Sequence, residues 1–349
     1  MTPSHRPGDS APKTASPLVV GLVVAGILLA TVGVYLLMKP GKALSGQATE
    51  PAKAVRGNLK QLRKVDPELV KWRQAAVIEV PFRKPRGIVL GPGDELYVAG
   101  DRGVASFGAD GGPGPIVGVP EPVHCLAVDG ENGFYAGFRD HVTEYDRQWR
   151  VRREWPVVAP KAYLTCIALA GDDVWVADAG TRVVLRCSRS GDVLDRIGQV
   201  DDAGDGTGLI LPSPHLDVVP LSGERVLVNN PGRCRVQTYS VSGRLVGSWG
   251  TASSAIEGFC GCCNPVDLAV LPDGGVVTAE KGLPRVKVYT PEGQLQSVVA
   301  TPDDLSVMVR SLDVAVDRRG RVFVLDAPER VVRVFERRPE GADGGPARG

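Results

Sequence analysis

Three cysteines lie within four residues of one another, in the sequence Cys260-Gly261-Cys262-Cys263. Thiolates bind soft or borderline metal ions such as zinc, copper and iron, and they also serve as cluster or haem ligands. In an oxidising compartment the same residues can form disulfides. This spacing fits none of the common C-x₂-C ligand templates, so a site would need residues from elsewhere in the chain.

The elements that would position such residues are visible as an internal repeat. Six segments share an alternating apolar stretch, a turn rich in Gly and Asp, and a second apolar stretch that ends in a small or acidic residue. They are RGIVLGPGDELYVAG (from Arg86), HCLAVDGENGFYAG (from His124), TCIALAGDDVWVAD (from Thr165), HLDVVPLSGERVLVNN (from His215), VDLAVLPDGGVVTAE (from Val266) and LDVAVDRRGRVFVLD (from Leu312). A period of about 40 to 50 residues built from strands predicts a β-propeller, here with six blades.

Each blade is expected to have four strands. A third strand follows most of the paired segments, as in TRVVLRC from Thr181, and an outer strand follows that, as in GRLVGSWG from Gly243. The last unit ends near Glu336 without an outer strand, whereas AAVIEV (from Ala75) precedes the first unit. We therefore expect AAVIEV to complete the last blade and close the ring, which leaves no open sheet edge.

Aligning the innermost strands brings the chemistry-bearing residues together at one mouth of the central channel. The expected ring consists of Gly87, Cys125, Cys166, Leu216, Asp267 and Asp313. Two histidines stand directly before ring positions, and the three clustered cysteines precede Asp267. The candidate metal ligands are therefore Cys260, Cys262, Cys263, Cys166, Cys125, His215 and His124.

Three interpretations of these residues stay open. They could hold zinc, copper or iron, or ligate haem. A disulfide could instead join Cys166 to Cys260 or Cys263, or Cys125 and Cys166 could be small packed residues. Cys187 occupies a core position of a third strand and is predicted to be a packed hydrophobe, whereas Cys234 could be a remote partner of the cluster.

Polar residues at the same mouth are candidates for binding a partner or substrate. They are Asp267, Asp313, Asn264, Lys281 and Arg285. Glu280 corresponds to Asp178 and Asp326 of other blades, so we expect it to cap a loop. Lys281 has no charged equivalent in blades three, four and six, and Asn264-Pro265 is expected to shape the turn into the channel strand.

The strand–loop–strand core VADAGTRVV, from Val176, resembles the NHL-repeat family of six-bladed propellers, over roughly residues 75 to 338. The stretch GFCGCCNPVDLAVLPDGGVVTAEKGLPRVKVY, from Gly258, resembles a narrower set of bacterial membrane-anchored members. This resemblance implies the propeller fold and an inner-membrane location. It implies no particular activity, because the family has none in common.

The segment from Leu18 to Met38 contains 21 residues and no charge, and it would span about 31 Å as a helix. We expect a retained single-pass anchor rather than a cleaved signal peptide, because the apolar run is long and no A-x-A site comes after it. The flanking Lys39 and Lys42 would favour a cytoplasmic propeller. An anchor so near the N-terminus nevertheless commonly exports the domain that it precedes, so we expect an extracytoplasmic, periplasmic propeller. The expected divisions are a tail (1–17), the anchor (18–38), a stalk with a short helix capped by Asp66 (39–74), the propeller (75–338) and a disordered tail (339–349).

The charge balance and the lack of a catalytic triad limit the function. With 41 basic and 40 acidic residues, the chain has no electrostatic footprint for nucleic acid. We therefore expect a binding or scaffolding module at the membrane surface, presenting its channel face to a protein or small ligand. The alternatives are a metal- or haem-dependent redox or accessory protein, and then a metal-dependent hydrolase or lyase.

Overall fold

The computed structural model describes residues 61–130, 133–198, 208–306 and 312–339. These residues form six antiparallel sheets of four strands each. The prediction of an all-β, six-bladed propeller is therefore confirmed. The predicted anchor, residues 18–38, lies outside the described residues, and among those that are described no helix is long and apolar enough to cross a membrane.

The strands follow one another in chain order from blade to blade. Blade 1 contains β2 (Pro85–Leu90), β3 (Leu96–Gly100), β4 (Gly103–Phe107) and β5 (Pro113–Val117), and blade 2 contains β6 (Cys125–Val128), β7 (Phe134–Gly137), β8 (Val142–Tyr145) and β9 (Val151–Glu154). Blade 3 contains β10 (Leu164–Ala170), β11 (Asp173–Asp178), β12 (Val183–Ser188) and β13 (Val193–Ile197), and blade 4 contains β14 (Val218–Leu221), β15 (Arg225–Asn230), β16 (Arg235–Ser240) and β17 (Leu245–Trp249). Blade 5 contains β18 (Asp267–Val270), β19 (Val276–Glu280), β20 (Arg285–Tyr289) and β21 (Leu295–Ala300), and blade 6 contains β22 (Leu312–Val316), β23 (Val322–Asp326), β24 (Val331–Arg337) and β1 (Trp72–Glu79).

The first strand of each blade lies at the centre of the ring. Strands β2, β6, β10, β14, β18 and β22 each contact the corresponding strand of the next blade. We call the end of the ring at which these strands begin the mouth face. The opposite end, which carries the turns between the first and second strands, is the turn face.

The hydrophobic core lies between the blades rather than in the channel. The described residues contain six buried apolar clusters, and each cluster joins two neighbouring blades. Trp175 of blade 3, for example, belongs to the same cluster as Val218 of blade 4. Each blade packs against a neighbouring blade on both of its faces. Strand residues alternate between these two faces, so the residues that point to either face are apolar. The first strands are consequently free to carry polar residues towards the channel.

The strand after the N-terminal segment closes the ring, as predicted. β1 pairs antiparallel with β24, from Trp72 opposite Arg337 to Glu79 opposite Val331. This pairing begins three residues before the predicted AAVIEV segment. Trp72 is buried, and its indole N–H donates to Ser297 Oγ of blade 5 at 3.1 Å.

The residues just before β1 pack against the propeller. Asp66 accepts a hydrogen bond from the Glu68 N–H and begins one turn of 3₁₀ helix, Pro67–Leu69. Further upstream, Arg63 pairs with Asp303 and donates to the Pro302 carbonyl. This part of the expected stalk is therefore attached to the domain and is not a free spacer.

Replacing Trp72 with Ala should destabilise the protein by roughly 3–5 kcal/mol, because it empties a large buried site that links the closing strand to blade 5. The matched control is Val77→Ala on the same strand, where the side chain is 46% exposed and the change should cost only about 0.5 kcal/mol. Urea unfolding measures both. Equal effects of the two substitutions would contradict this role of Trp72.

Candidate functional site

Six residues form a ring around the channel, one from the start of each innermost strand. They are Gly87, Cys125, Cys166, Asp217, Asp267 and Asp313, and they line a cavity of about 220 Å³. The expected member from blade 4 was wrong: Leu216 is buried between blades 3 and 4, and Asp217 takes the ring position. The shared pattern of an apolar residue, Asp and two apolar residues at Leu216, Val266 and Leu312 would have identified it.

The ring carboxyls connect neighbouring blades through backbone N–H groups. Asp217 accepts from the Leu268 N–H at 2.8 Å, and Asp267 accepts from the Val314 N–H at 2.6 Å. Asp313 continues the series by accepting from the Ile88 N–H of blade 1. Each carboxyl therefore bonds to the residue that follows the next ring position, which makes the ring a set of ties between blades.

The ring carboxyls tend to stay protonated. Burial raises the pKa of Asp217, and burial together with the neighbouring carboxylates raises the pKa of Asp267 and Asp313 well above the ordinary value of 3.8. Asp267 is also hydrogen-bonded to Asp217, which is consistent with a shared proton between two carboxyl groups. The floor of the channel therefore carries less negative charge at neutral pH than three carboxylates would.

The two ring cysteines are also held as thiols. Burial raises the pKa of Cys125 and Cys166, and the negative charge of ring carboxylates raises both further. The Cys166 thiol donates to the Val218 carbonyl at 3.6 Å. A metal ligand must be the thiolate, so this environment disfavours metal binding by these residues.

The predicted metal ligands lie in three separate places. Cys125 and Cys166 line the channel, His124 and His215 line the mouth, and the three clustered cysteines lie in the loop before β18. Among the residues that the structure describes, no group of three or more His, Cys, Asp and Glu side chains could hold a metal ion. The metal prediction therefore gains no support, and all seven cysteines are free, so no disulfide joins Cys166 to the loop.

A second cavity, of about 310 Å³, opens at the mouth face above the carboxyl ring. Its polar lining consists of Lys84, Arg86, His124, Tyr163, His215, Asp267 and Asp313, together with Thr165. The sequence did not single out Lys84, Arg86 or Tyr163, because each lies just before or at the start of an innermost strand and none belongs to a recognisable motif. The Thr165 hydroxyl donates to the Leu216 carbonyl at 2.6 Å and ties blade 3 to blade 4 at this level.

His124 is a neutral imidazole with a defined orientation. Its Nδ1 lies 3.3 Å from the Leu164 carbonyl, and its ring centroid lies 4.9 Å from that of Tyr163. Burial and the positive charge of Arg86 lower the pKa of His124 to about 4. Nδ1 therefore carries the proton that bonds to Leu164, and Nε2 is the acceptor.

Arg86 has an unsatisfied guanidinium nitrogen. Its Nε is buried and has no hydrogen-bond partner, and within the described part of the chain neither Arg86 nor Lys84 forms an ion pair. Charged groups withdrawn from water without a partner are costly. The mouth thus presents positive charge above carboxyls whose pKa values are raised.

The remaining binding candidates belong to the blade 5 loop. Arg285 is 1% exposed and pairs with Glu280 at 2.8 Å, so it lies inside the blade instead of on its surface. Asn264 is buried, accepts from the Lys281 N–H at 2.9 Å and donates to the Cys260 carbonyl at 2.6 Å. Lys281 is half-buried, and its ammonium donates to Ser213 Oγ at 2.7 Å.

Two further interpretations of single residues agree with the structure. Glu280 accepts from the Cys260 N–H at 3.0 Å, as Asp178 accepts from Tyr163 and Asp326 from Ser306, so it does cap a loop. Cys187 is 2% exposed, and burial raises its pKa to about 11, as expected of a packed residue.

Comparison with known proteins identifies the fold and no family. The chain matches no protein-family model and no curated protein. Among solved structures it is similar to virginiamycin B lyase from Staphylococcus aureus, at 10% identity and a TM-score of 0.53, over 75% of this chain and 99% of that one. A streptogramin B lyase is similar at 11% identity and a TM-score of 0.54, over 78% of this chain and 100% of that one.

A catalytically inactive virginiamycin B lyase from Staphylococcus aureus, with quinupristin, is similar at 10% identity and a TM-score of 0.51. The match covers 76% of this chain and 99% of that one. At these identities the similarity shows a shared six-bladed propeller and nothing about activity. The NHL-repeat family stays a prediction.

Replacing Asp267 with Asn should make stability less dependent on pH. The raised pKa of Asp267 means that the folded state binds more protons than the unfolded state above about pH 4. This carboxyl therefore contributes stability below its unfolded pKa and loses it as the pH rises through the folded pKa. Urea unfolding at about pH 4 and about pH 7 should show that Asp267→Asn gains stability relative to the parent only at the higher pH.

The control for this measurement is Asp172→Asn, because among the described residues the Asp172 side chain is exposed and has no hydrogen bond or ion pair, so the substitution should leave the pH dependence of the parent unchanged. An Asp267→Asn variant that loses stability with pH as steeply as the parent would contradict the assignment.

Proposed function

We propose that this chain is a membrane-anchored propeller that binds a small anionic ligand in its mouth cavity, without catalysing a reaction. The observation that carries the proposal is the Arg86 guanidinium, whose buried Nε has no partner in a cavity of about 310 Å³. A carboxylate or phosphate group in the cavity would pair with this guanidinium, because guanidinium groups bind such anions through paired hydrogen bonds.

The surroundings of Arg86 support an anion rather than a cation. His124 is neutral, and the carboxyls on the floor have raised pKa values, so they compensate Arg86 only in part. Lys84 adds a second positive charge at the rim. The rings of His124 and Tyr163 offer an apolar wall beside these charges. This combination suits a ligand with one anionic group and a flat or apolar body.

A lyase is the second candidate. The solved structures that share the fold include three that are named as lyases, and the free Nε2 of the neutral His124 could accept a proton at neutral pH. Incubation of the purified chain with quinupristin tests this candidate. Turnover that His124→Ala abolishes would favour it over a binding module.

The membrane location is the other part of the proposal. The uncharged run Leu18–Met38 supports a single-pass anchor in a bacterial inner membrane, with the propeller on the extracytoplasmic side. A protein partner on the channel face would then be reached at the membrane surface.

Deleting residues 1–40 should release the protein from membranes, because it removes the apolar span. The full chain should stay in the membrane pellet after alkaline carbonate extraction, whereas the truncated chain should appear in the supernatant. Recovery of the full chain in the supernatant would contradict the anchor. Protease added to intact spheroplasts then tests orientation, since an extracytoplasmic propeller is cleaved and a cytoplasmic one is protected.

Replacing Arg86 with Gln should weaken anion binding by about 10- to 100-fold, since a charge-assisted hydrogen bond contributes roughly 1.5–3 kcal/mol. Calorimetric titration with a panel of monocarboxylates, dicarboxylates and phosphomonoesters measures this loss. Arg318→Gln on the turn face is the control, because Arg318 pairs with Asp94 far from the mouth lining. Equal affinities of Arg86→Gln and the parent, or no binding of any panel member, would contradict the proposal.

A further inference from the structure

Cys262 and Cys263 present two thiols at the tip of the loop that joins blade 4 to blade 5. Their sulfur atoms are 3.0 Å apart, with one thiol in position to donate to the other. Cys262 is exposed, Cys263 is partly exposed, and neither belongs to a disulfide. The pair therefore lies within reach of another molecule.

The loop that carries this pair is fixed from inside blade 5. Lys287 is fully buried, and its ammonium donates to the carbonyls of Ile256 at 2.9 Å and Gly258 at 2.7 Å. Phe259 is buried too, and the Lys287 ammonium lies 4.9 Å from its ring centroid. Glu280 balances this cation at 2.8 Å.

Hydrogen bonds hold the residues on both sides of the tip, which are Cys260 and Gly261 before it and Asn264 after it. Asn264 accepts from the Lys281 N–H at 2.9 Å. The Cys260 N–H donates to Glu280, and its carbonyl accepts from Asn264. The buried Cys234 thiol donates to the Gly261 carbonyl at 3.3 Å. Both ends of the tip are therefore anchored, and the two thiols project from a rigid support.

Positive charge lies beside the pair. The Lys281 ammonium interacts electrostatically with both sulfur atoms and is held by Ser213 Oγ. An ammonium group beside a thiol favours the thiolate, which is the form that attacks disulfides. The hydrogen bond with Cys263, and the negative charge that Cys263 can carry, raise the pKa of Cys262. Loss of a proton from one thiol therefore disfavours loss of a proton from the other.

We propose that Cys262 and Cys263 form a redox-active dithiol that undergoes thiol–disulfide exchange with a disulfide-bearing partner. One thiolate attacks a sulfur of the partner's disulfide, forms a mixed disulfide and releases the partner's other sulfur as a thiolate. The second thiol of the pair then attacks the mixed disulfide. The pair becomes a disulfide, the partner becomes a dithiol, and the partner's sulfurs gain two electrons and the two protons that the pair loses.

The adjacency of the two residues makes this bond suited to exchange. Neighbouring Cα atoms are about 3.8 Å apart across a trans peptide, whereas disulfides usually join Cα atoms about 4.4–6.8 Å apart. A disulfide between neighbours is therefore readily reduced, so the pair passes electrons only to a partner disulfide that is reduced more readily still, and a partner dithiol returns the pair to its reduced form by the reverse exchange. Such a disulfide also closes no loop of intervening residues, so it would add little stability by restricting the unfolded state. The exchange does not depend on a ligand in the mouth cavity.

The test is oxidation of the purified full chain in glutathione buffers that range from reduced to oxidised, followed by acid quenching, alkylation and trypsin digestion. The tryptic peptide 245–281 contains Cys260, Cys262 and Cys263 and no other cysteine. We expect this peptide to lose two hydrogen atoms reversibly while Cys260 stays alkylated. Fragment ions of the parent peptide locate the bond without any substitution.

Three variants identify the residues that exchange. Cys260→Ser should oxidise like the parent, whereas Cys262→Ser and Cys263→Ser should lose the oxidation and instead accumulate a mixed disulfide with glutathione. Circular dichroism confirms that each variant is folded. Alkylation of all three cysteines throughout the series, a bond that includes Cys260, or oxidation that persists in Cys262→Ser or Cys263→Ser would overturn the proposal.

Discussion

The pairing of β1 with β24 is the constraint on which the rest of this structure depends. Blades 1 to 5 are each continuous in the chain, but blade 6 takes its outer strand from the segment before blade 1. Without that strand blade 6 would expose an open sheet edge, and blades 1 and 6 would be joined only by side-chain packing and by the hydrogen bond from the Ile88 N–H to Asp313. The channel, the carboxyl ring and the mouth cavity exist only because the array is closed.

The closed ring creates two polar levels with different properties. At the lower level, the carboxyl oxygens of Asp217, Asp267 and Asp313 accept hydrogen bonds from backbone N–H groups of the next blade. These oxygens therefore serve mainly to join neighbouring blades. At the upper level, Arg86 and His124 line the mouth cavity and keep unused hydrogen-bonding capacity. A channel lined by conspicuous acidic and sulfur groups is thus structural, whereas the less conspicuous basic rim is the candidate binding surface.

The propeller and its manner of closure could be predicted from the sequence because both are periodic. The alternation and the Gly–Asp turns recur six times, and a missing outer strand in the last repeat indicates its replacement by an earlier one. The candidate site was harder to predict. A shift of one residue in a strand moves a side chain to the opposite face, which is why Leu216 was expected where Asp217 lies. Whether a thiol lines the channel or the loop tip depends on loop paths that no repeat specifies, so the seven candidate ligands could not be separated into their three locations in advance. The pairing of Arg285 with Glu280 was equally hidden, since a basic residue beside a loop normally faces water.

Closure by β1 also has a mechanical consequence. The chain reaches β1 through residues 61–71. Tension applied to that segment would therefore load the pairing of β1 with β24, which is the seam of the ring, before any other strand pair. Seven matched residue pairs join β1 to β24, from Trp72 to Glu79, and their hydrogen bonds run across the strand direction. A pull along the strand would load these bonds together in shear instead of peeling them one after another. The seam through which the ring could open therefore resists tension that is directed along β1.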